Sequence, residues 1–274
     1  MTDKKPVPVI RLLSLVPLLL TLSSGAYSAS QQGIDCLLQA YPRFLLEKDG
    51  DNLVMADGHR LPYGSGSQGN FEDRLDHADL HDQMSQCYSP GFPVDQTRFN
   101  EDPGRMRHEP FFKRLYGEDK LAVQRNIVQV IWAPTGKSLP FSRIAGADQA
   151  LIRVGKAIAA RPELRHLVSS PLGTLNWRTI QGTKRTSSHS FGIAIDFRLP
   201  HGLGHYWRWA GCLSEKSCAY PERVLQDRAL RDIVTIFEAN GFIWGGKWFH
   251  FDTIHFEYRP ELLVAECTCK SQEK

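Results

Sequence analysis

The sequence of 274 residues lacks any hydrophobic run long enough to span a membrane. Its longest apolar stretch, Leu12 to Leu22, is shorter than the roughly 20 residues that a transmembrane helix needs. No internal repeat and no low-complexity segment is present, so nothing indicates a repeat protein or a disordered chain. The sequence also lacks paired Cys-x-x-Cys motifs. A thiolate metal site is therefore only the alternative use of the cysteines.

The first 29 residues have the pattern of a signal peptide. Lys4, Lys5 and Arg11 form a basic N-terminal segment, an apolar run follows, and mostly small residues occupy positions 23–29. We therefore expect residues 1–29 to be removed on export, and we expect the mature protein in the periplasm. Secretion, or anchoring through an uncleaved signal, is the alternative.

The chain has little excess charge of either sign. Removal of residues 1–29 takes away three basic residues and one acidic residue, which lowers the formal charge from +3 to +1. A nearly neutral protein gives no electrostatic argument for binding nucleic acid or an anionic membrane. We expect neither a nucleic-acid partner nor a stable membrane span in the mature chain.

All six cysteines lie beyond the predicted signal peptide. An even number of cysteines in an exported chain is typical of disulfide bonds. Cys212 and Cys218 flank a short polar loop and are the best local pair, and Cys36 with Cys87 is the next. The connectivity of the six stays open, because six cysteines allow 15 arrangements.

Turn-forming residues divide the chain into two parts. Residues 30–140 contain loops rich in Pro, Gly and Asp, and we interpret them as an N-terminal extension of unknown role. Residues 141–265 show cleaner patterns and form the predicted main domain, with residues 266–274 as a tail. The main domain contains a helix at "ADQALIRVGKAIAA" and a long helix that starts at Pro221 and ends at Gly241. Residues 120–132 look like one regular element.

The stretch "FGIAIDF", residues 191–197, predicts a strand with one bulky and one open face. Side chains two apart share a face of a strand. One face would carry Phe191, Ile193, Ile195 and Phe197, and the other Gly192, Ala194 and Asp196. Apart from the carboxylate of Asp196, the second face has almost no side-chain bulk. This pattern suggests an open surface on which Asp196 acts as a ligand.

Two histidines can join this carboxylate. His189 is seven residues before Asp196, an odd separation, so it must lie on the bend before the strand. His255 and Glu257 share a face of the last strand, and Asp252 fits in the irregular run before it. His189, Asp196 and His255 with an open fourth position make a zinc shell of the catalytic type.

Such a zinc site needs a base and a cation for hydrolysis. Zinc lowers the pKa of its bound water to about 7. Asp252 can take the proton of this water, and Arg178 is the candidate that stabilises negative charge on the carbonyl oxygen. The alternative interpretation makes Asp196 a surface carboxylate and His255 a core histidine paired with Glu257.

The motif Ser187-x-His189-x-x-Gly192-x-Ala194-x-Asp196, followed by Asp252-x-x-His255, resembles a group of zinc peptidases. The group contains D-alanyl-D-alanine carboxypeptidases, L-alanyl-D-glutamate endopeptidases and the hedgehog signalling domain. The match extends over roughly residues 167–259. The resemblance implies one Zn²⁺ held by His189, Asp196 and His255.

The same resemblance implies the fold, the base and the substrate. It implies an α+β fold, in which a small antiparallel-rich sheet carries the site and helices pack on its other face. Asp252 would be the catalytic base and Arg178 the residue that holds the carbonyl oxygen or a substrate carboxylate, and the substrate would be peptidoglycan stem peptides. Three further positions are substrate or supporting candidates: Ser187, Gln181 and Glu257. His250 could orient the substrate or the base.

The subtype stays open. Many carboxypeptidase members carry Glu where this chain has Asp252, and Asp is more similar to the endopeptidase branch. A catalytically silent, zinc-stabilised module that binds the cell wall is the alternative function, and a non-peptide amidase is a weaker one.

Two other features have alternative explanations. His77 and His81 are four residues apart with Asp79 and Asp82 beside them, which indicates either a second metal site or a solvated helix face. The aromatic residues of 205–212 indicate either a wall of the substrate groove or packing under the loop that follows.

Overall fold

The computed structural model describes residues 1, 29–92, 98–208 and 219–269, so most of the predicted signal peptide lies outside the described residues. Nine α-helices occur in these ranges: α1 Ala29–Ala40, α2 Phe71–Asp76, α3 Leu80–Ser85, α4 Glu109–Tyr116, α5 Lys120–Gln124, α6 Ala147–Ala159, α7 Arg165–Val168, α8 Glu222–Gln226 and α9 Arg228–Glu238. The strands of the same ranges are β1 Leu45–Asp49, β2 Asn52–Met55, β3 Arg60–Pro62, β4 Ile127–Trp132, β5 Lys137–Ser142, β6 Pro171–Gly173, β7 Ala194–Phe197, β8 Phe242–Trp244 and β9 His255–Tyr258. Within the described ranges, no helix is both long enough and apolar enough to cross a membrane.

The strands form three small sheets, in each of which the paired strands are antiparallel. Their orders are β1-β2-β3, β4-β5 and β6-β7-β9-β8. In the four-stranded sheet, Asp196 lies opposite His255 and Ala194 opposite Glu257. The polar side chains of these neighbouring strands therefore share one face, because facing residues of paired strands point to the same side.

The other face of the four-stranded sheet is packed against helix α9. Phe237 of α9 stacks on Phe256 of β9 with ring centroids 4.1 Å apart, and it also meets Phe197 of β7. All three side chains are fully buried. Burial of each contributes roughly 1.5–3 kcal/mol. The predicted α+β fold, with a sheet open on one face and helices on the other, is confirmed.

Strand β7 begins later than the sequence pattern predicts. Residues Ser188–Phe191 form a 3₁₀ turn, and Gly192 closes it with φ 67°. A Cβ atom at Gly192 would lie 2.6 Å from Cδ1 of Ile127. Gly192 is therefore required by the turn and by this close approach, and its prediction as part of an open strand face was wrong.

Two long predicted elements are each divided in the structure. The predicted helix from Pro221 to Gly241 is broken at Asp227, whose carboxylate accepts a hydrogen bond from the amide of Leu230 and starts α9. Side-chain capping of this kind competes with continuation of the helix. The predicted single element over residues 120–132 is a short helix, α5, followed by strand β4.

The N-terminal extension packs onto the main domain. One hydrophobic core contains buried residues from Ile34 to Tyr258. Tyr41 of the extension donates a 2.6 Å hydrogen bond to Glu261 near the end of the chain. Strand β5 runs across residues 140 and 141, where the sequence pattern divided the chain.

Two disulfide bonds join the extension to the C-terminal tail. Cys36 pairs with Cys267, and Cys87 pairs with Cys269. The predicted pairing of Cys36 with Cys87 was therefore wrong. The partners are 231 and 182 residues apart in sequence, so proximity along the chain could not reveal them. Cys212 and Cys218 lie outside the described residues.

Candidate metal centre and active site

His189, Asp196 and His255 come together on the open face of the sheet. Their ligand atoms all lie within 4.8 Å of one another. Oδ2 of Asp196 is 3.2 Å from Nε2 of His189, and Oδ1 of Asp196 is 2.8 Å from Nδ1 of His255. Both histidines are buried, and Asp196 is partly exposed. Two imidazole nitrogens and one carboxylate around a cavity are a donor set that suits Zn²⁺ with a position open.

The 3₁₀ turn that carries His189 is held by Ser190. The Ser190 hydroxyl accepts a hydrogen bond from the amide of Arg178 at 2.9 Å, and it donates to the carbonyl of Arg178 at 2.8 Å. The Ser187 amide donates to the same carbonyl. This fixes the turn against the preceding segment and places His189 above β7, where the odd separation from Asp196 predicts it.

Opposite charges hold the three candidate ligands in place. Burial favours the neutral acid at Asp196, but hydrogen bonds from His189 and His255 outweigh it and hold the pKa of Asp196 well below its usual range. Burial likewise lowers the pKa of His255, but Asp196 and Glu257 outweigh burial and raise the pKa of His255 to about 10. The metal-free site therefore holds a proton on His255 between two carboxylates, where a cation is favoured.

Glu257 supports His255 from behind. It is fully buried, and its Oε2 lies 3.4 Å from Nε2 of His255 and 3.3 Å from Nη1 of Arg107. Arg259 lies 3.3 Å from the other oxygen. Burial raises the pKa of Glu257, but Arg107, His255 and Arg259 together lower it to about 2. Carboxylates that bind the far nitrogen of a ligating histidine orient its ring and raise its basicity.

Asp252 is a second kind of carboxylate in this cavity. Its amide donates to the carbonyl of Gly245 at 2.9 Å, and its backbone forms an isolated bridge with Tyr206. Its Oδ1 is buried and has no hydrogen-bond partner among the described residues. Burial raises the pKa of Asp252 to about 6. A carboxylate with a free oxygen and a pKa near neutrality suits proton transfer.

Comparison with known families gives a match over part of the chain. Residues 181–258 match the family model described as D-alanyl-D-alanine carboxypeptidase. This segment is therefore similar to that peptidase family. It contains the three candidate ligands and Asp252, so the resemblance that the motifs predict is confirmed over this part of the chain. No curated protein and no solved structure matches the chain.

Arg178 and Gln181 lie at the rim of the cavity that holds the candidate ligands. The cavity has a volume of about 250 Å³, and both side chains line it. Both residues are exposed, and Arg178 donates to the carbonyl of Thr179 at 3.2 Å. Ser187 also lines the cavity and is buried. The structure thus brings these candidates to the cavity, with Arg178 in an irregular segment.

His250 lies on the wall of the cavity and is held by Asp102. Its Nδ1 is 2.6 Å from Oδ2 of Asp102, and its amide donates to Oδ1 of the same residue. Trp207 packs edge-on against His250 at a centroid distance of 4.6 Å. Tyr206 and Trp207 both line the cavity, which agrees with the groove-wall interpretation of this segment. Residues 209–218 lie outside the described residues.

Three residues of the N-terminal extension that the sequence patterns do not predict contribute to this wall, Arg105 and Arg107 directly and Asp102 through its contact with His250. Asp102, Arg105 and Arg107 follow one another in "DPGRMR", a segment that predicts only a loop. Arg105 and Arg107 line the cavity. Their only sequence signal is that two arginines lie two residues apart. This spacing predicts no site by itself, because only the tertiary structure brings the loop beside the cavity.

A second acidic and histidine cluster lies in the extension at Asp79, His81 and Asp82. Its carboxylates already accept protein hydrogen bonds. Asp82 accepts from the amide and hydroxyl of Ser67 and from Arg74, and Asp79 accepts from the amide of Gly66. These bonds anchor a neighbouring loop, so the carboxylates are occupied without a metal.

Proposed function

We propose that this protein is a zinc-dependent peptidase that hydrolyses peptidoglycan stem peptides. The observation that carries the proposal is the convergence of His189, Asp196 and His255 on one cavity that also holds Asp252. The family match over residues 181–258 supports the peptidase class and the peptide substrate.

The donor set fits one Zn²⁺, and His189, Asp196 and His255 would hold it. A bound zinc would supply a water of lowered pKa and polarise the scissile carbonyl. Asp252 accepts the proton of the attacking water at Oδ1 and returns it to the leaving amine. Glu257 keeps the His255 ring oriented, and Arg178 adds positive charge beside the substrate carbonyl or carboxylate at the rim.

We also propose that the protein works outside the reducing cytosol, with the periplasm as the expected location. Two disulfide bonds among the described residues support this, since disulfides persist in oxidising compartments. Fusion of the N-terminal 29 residues to a reporter that is active only after export tests it. A reporter that stays in the cytosol contradicts it.

Digestion of purified muropeptides followed by mass spectrometry tests the function and identifies the bond. Zinc-loaded protein should release D-alanine or cut the stem peptide internally, and a chelator should stop the reaction until zinc is restored. Asp252→Asn is the matched inactive control. Binding of muropeptides without any product would contradict the peptidase and support the silent wall-binding module.

A further inference from the structure

Three arginines, of which Arg185 is buried and Arg105 and Arg107 are partly buried, lie together beside the candidate active-site cavity. Arg105, Arg107 and Arg185 all line that cavity and also a neighbouring cavity of about 270 Å³. Their side chains are 15%, 9% and 10% exposed. Burial, followed by the positive charges of Arg107 and Arg105, lowers the pKa of Arg185 to about 10. The three guanidinium groups are thus close enough to repel one another in a poorly solvated place.

Two of these arginines have well-placed protein partners. Nη1 of Arg105 lies 2.8 Å from Oδ2 of Asp102, which also binds His250. Arg107 contacts Glu257 at 3.3 Å and donates to the carbonyl of Thr186. Their charges are therefore matched within the protein.

Arg185 is different. Its Nε lies 3.0 Å from Oδ1 of Asp76, but this contact lacks hydrogen-bond alignment, and the Asp76 side chain is 42% exposed. Its Nη1 is buried and has no hydrogen-bond partner among the described residues. A buried donor without a partner is costly, and a charged one more so. The position of Arg185 is explained if its free donors bind a ligand.

The N-terminal extension holds this cluster in place. Glu109, the first residue of α4, accepts hydrogen bonds from the amide of Thr186 at 3.0 Å and from its hydroxyl at 2.6 Å. Thr186 lies between Arg185 and the turn that carries His189. The extension therefore brings Arg105 and Arg107 against the peptidase domain at a fixed distance from the candidate ligands.

We propose that Arg185, with Arg105 and Arg107 beside it, forms a subsite for a carboxylate of the peptide substrate. The proposal rests on the proposed peptidase function. A guanidinium with free donors matches the planar geometry of a carboxylate, and an anion would pair with the charge of Arg185, whose one protein partner, Asp76, is partly exposed and poorly aligned. The subsite opens into the cavity of the candidate ligands, so a carboxylate bound there belongs to the same peptide that is cut. The extension thereby contributes to substrate selection.

A stem peptide offers a C-terminal carboxylate and side-chain carboxylates, and amidated peptides distinguish them. The probes are an N-acetylated stem peptide, its C-terminal amide and its side-chain amide. Wild-type protein should lose about ten-fold or more in kcat/KM on one of the two amides, mainly through KM. This comparison needs no variant. Equal kcat/KM for all three peptides would overturn the proposal.

The Arg185→Gln variant tests the residue itself, and Arg98→Gln is the matched control because the Arg98 side chain is 86% exposed. Arg185→Gln should raise KM about ten-fold for the unmodified stem peptide. It should not raise KM further for the amidated peptide that the wild-type protein already handles poorly. Arg185→Lys keeps the charge but lacks the planar guanidinium that can bind a carboxylate through two N–H groups. This variant should show an increase in KM intermediate between wild type and Arg185→Gln. A similar loss on every peptide would mark a merely structural role.

Equilibrium binding separates this proposal from the proposed function. The same peptides are titrated into metal-free protein and followed by tryptophan fluorescence, since Trp207 and Trp248 line the cavity. If peptide binding depends on Arg185 and on one carboxylate but the zinc-loaded protein shows no turnover, the peptidase function is refuted and the subsite is supported. If turnover occurs and depends neither on Arg185 nor on a carboxylate, only the subsite is refuted.

Discussion

Replacement of Asp252 by asparagine separates catalysis from folding and from metal binding. The amide keeps the shape of the side chain but its oxygen takes no proton from water. Positioned bases contribute about 10²–10⁴-fold. We therefore expect kcat to fall by about that factor, or by about 3–5 kcal/mol of activation free energy. Zinc content should stay at one per chain, because the cluster of ligand atoms does not include Asp252.

The same substitution should stabilise the metal-free protein. Burial raises the pKa of Asp252 from its ordinary 3.8 to about 6. Since the folded-state pKa lies above the unfolded one, the charged carboxylate lowers stability at neutral pH, by about 3 kcal/mol at most. Solvent at this partly exposed residue screens some of this effect. Asp252→Asn should therefore raise the free energy of unfolding at pH 7 by about 1–3 kcal/mol.

Steady-state kinetics, metal analysis and urea unfolding of the two proteins check this prediction. The stability difference should shrink from pH 6 downwards and vanish below about pH 4, where the wild-type carboxyl is protonated in both states. An unchanged kcat would refute the role of Asp252 as base. Loss of zinc from the variant would show that Asp252 is a ligand.

Three further changes test the metal site and the disulfides. His189→Ala removes one of the three metal ligands and should lower zinc affinity by at least about 100-fold, more than the 10–100-fold expected for a residue that only contacts a ligand. Competition with a chelator measures the affinity, and an unchanged value would show that His189 is not a ligand. Zinc affinity should rise about ten-fold for each pH unit between pH 6 and 9, because zinc must displace the proton that Asp196 and Glu257 hold on His255. Isothermal titration calorimetry at several pH values measures this, and a zinc affinity that does not change with pH would contradict it. Cys269→Ser should lower the free energy of unfolding by about 2–5 kcal/mol, because it removes the disulfide to Cys87, which joins residues 182 apart in sequence. Equal midpoints of urea unfolding for the variant and the parent would contradict this.

The alternation of side chains along strands made the centre of the site predictable. Asp196 and His255 each occupy the polar face of a strand, and the odd separation of His189 places it on a turn. These inferences need only the local geometry of the chain. Gly192 shows their limit, since a positive φ and the approach of Ile127 decide its role.

The remainder of the site depends on contacts that no local pattern contains. Asp102, Arg105 and Arg107 lie in a loop without periodicity. Only the docking of the extension brings the two arginines to the cavity and Asp102 to His250. The disulfide partners are likewise far apart in sequence. The division at Asp227 was missed because its carboxylate starts a helix inside a continuous apolar pattern.

X-ray absorption at the zinc edge of the loaded protein identifies the ligands of the metal. We expect one zinc bound by two imidazole nitrogens at about 2.0–2.1 Å, with oxygen ligands at about 2.0–2.2 Å from Asp196 and from solvent. His255→Ala should remove one imidazole from the spectrum. A spectrum without imidazole scattering, or one with four protein ligands and no solvent oxygen, would contradict an open, hydrolytic zinc site.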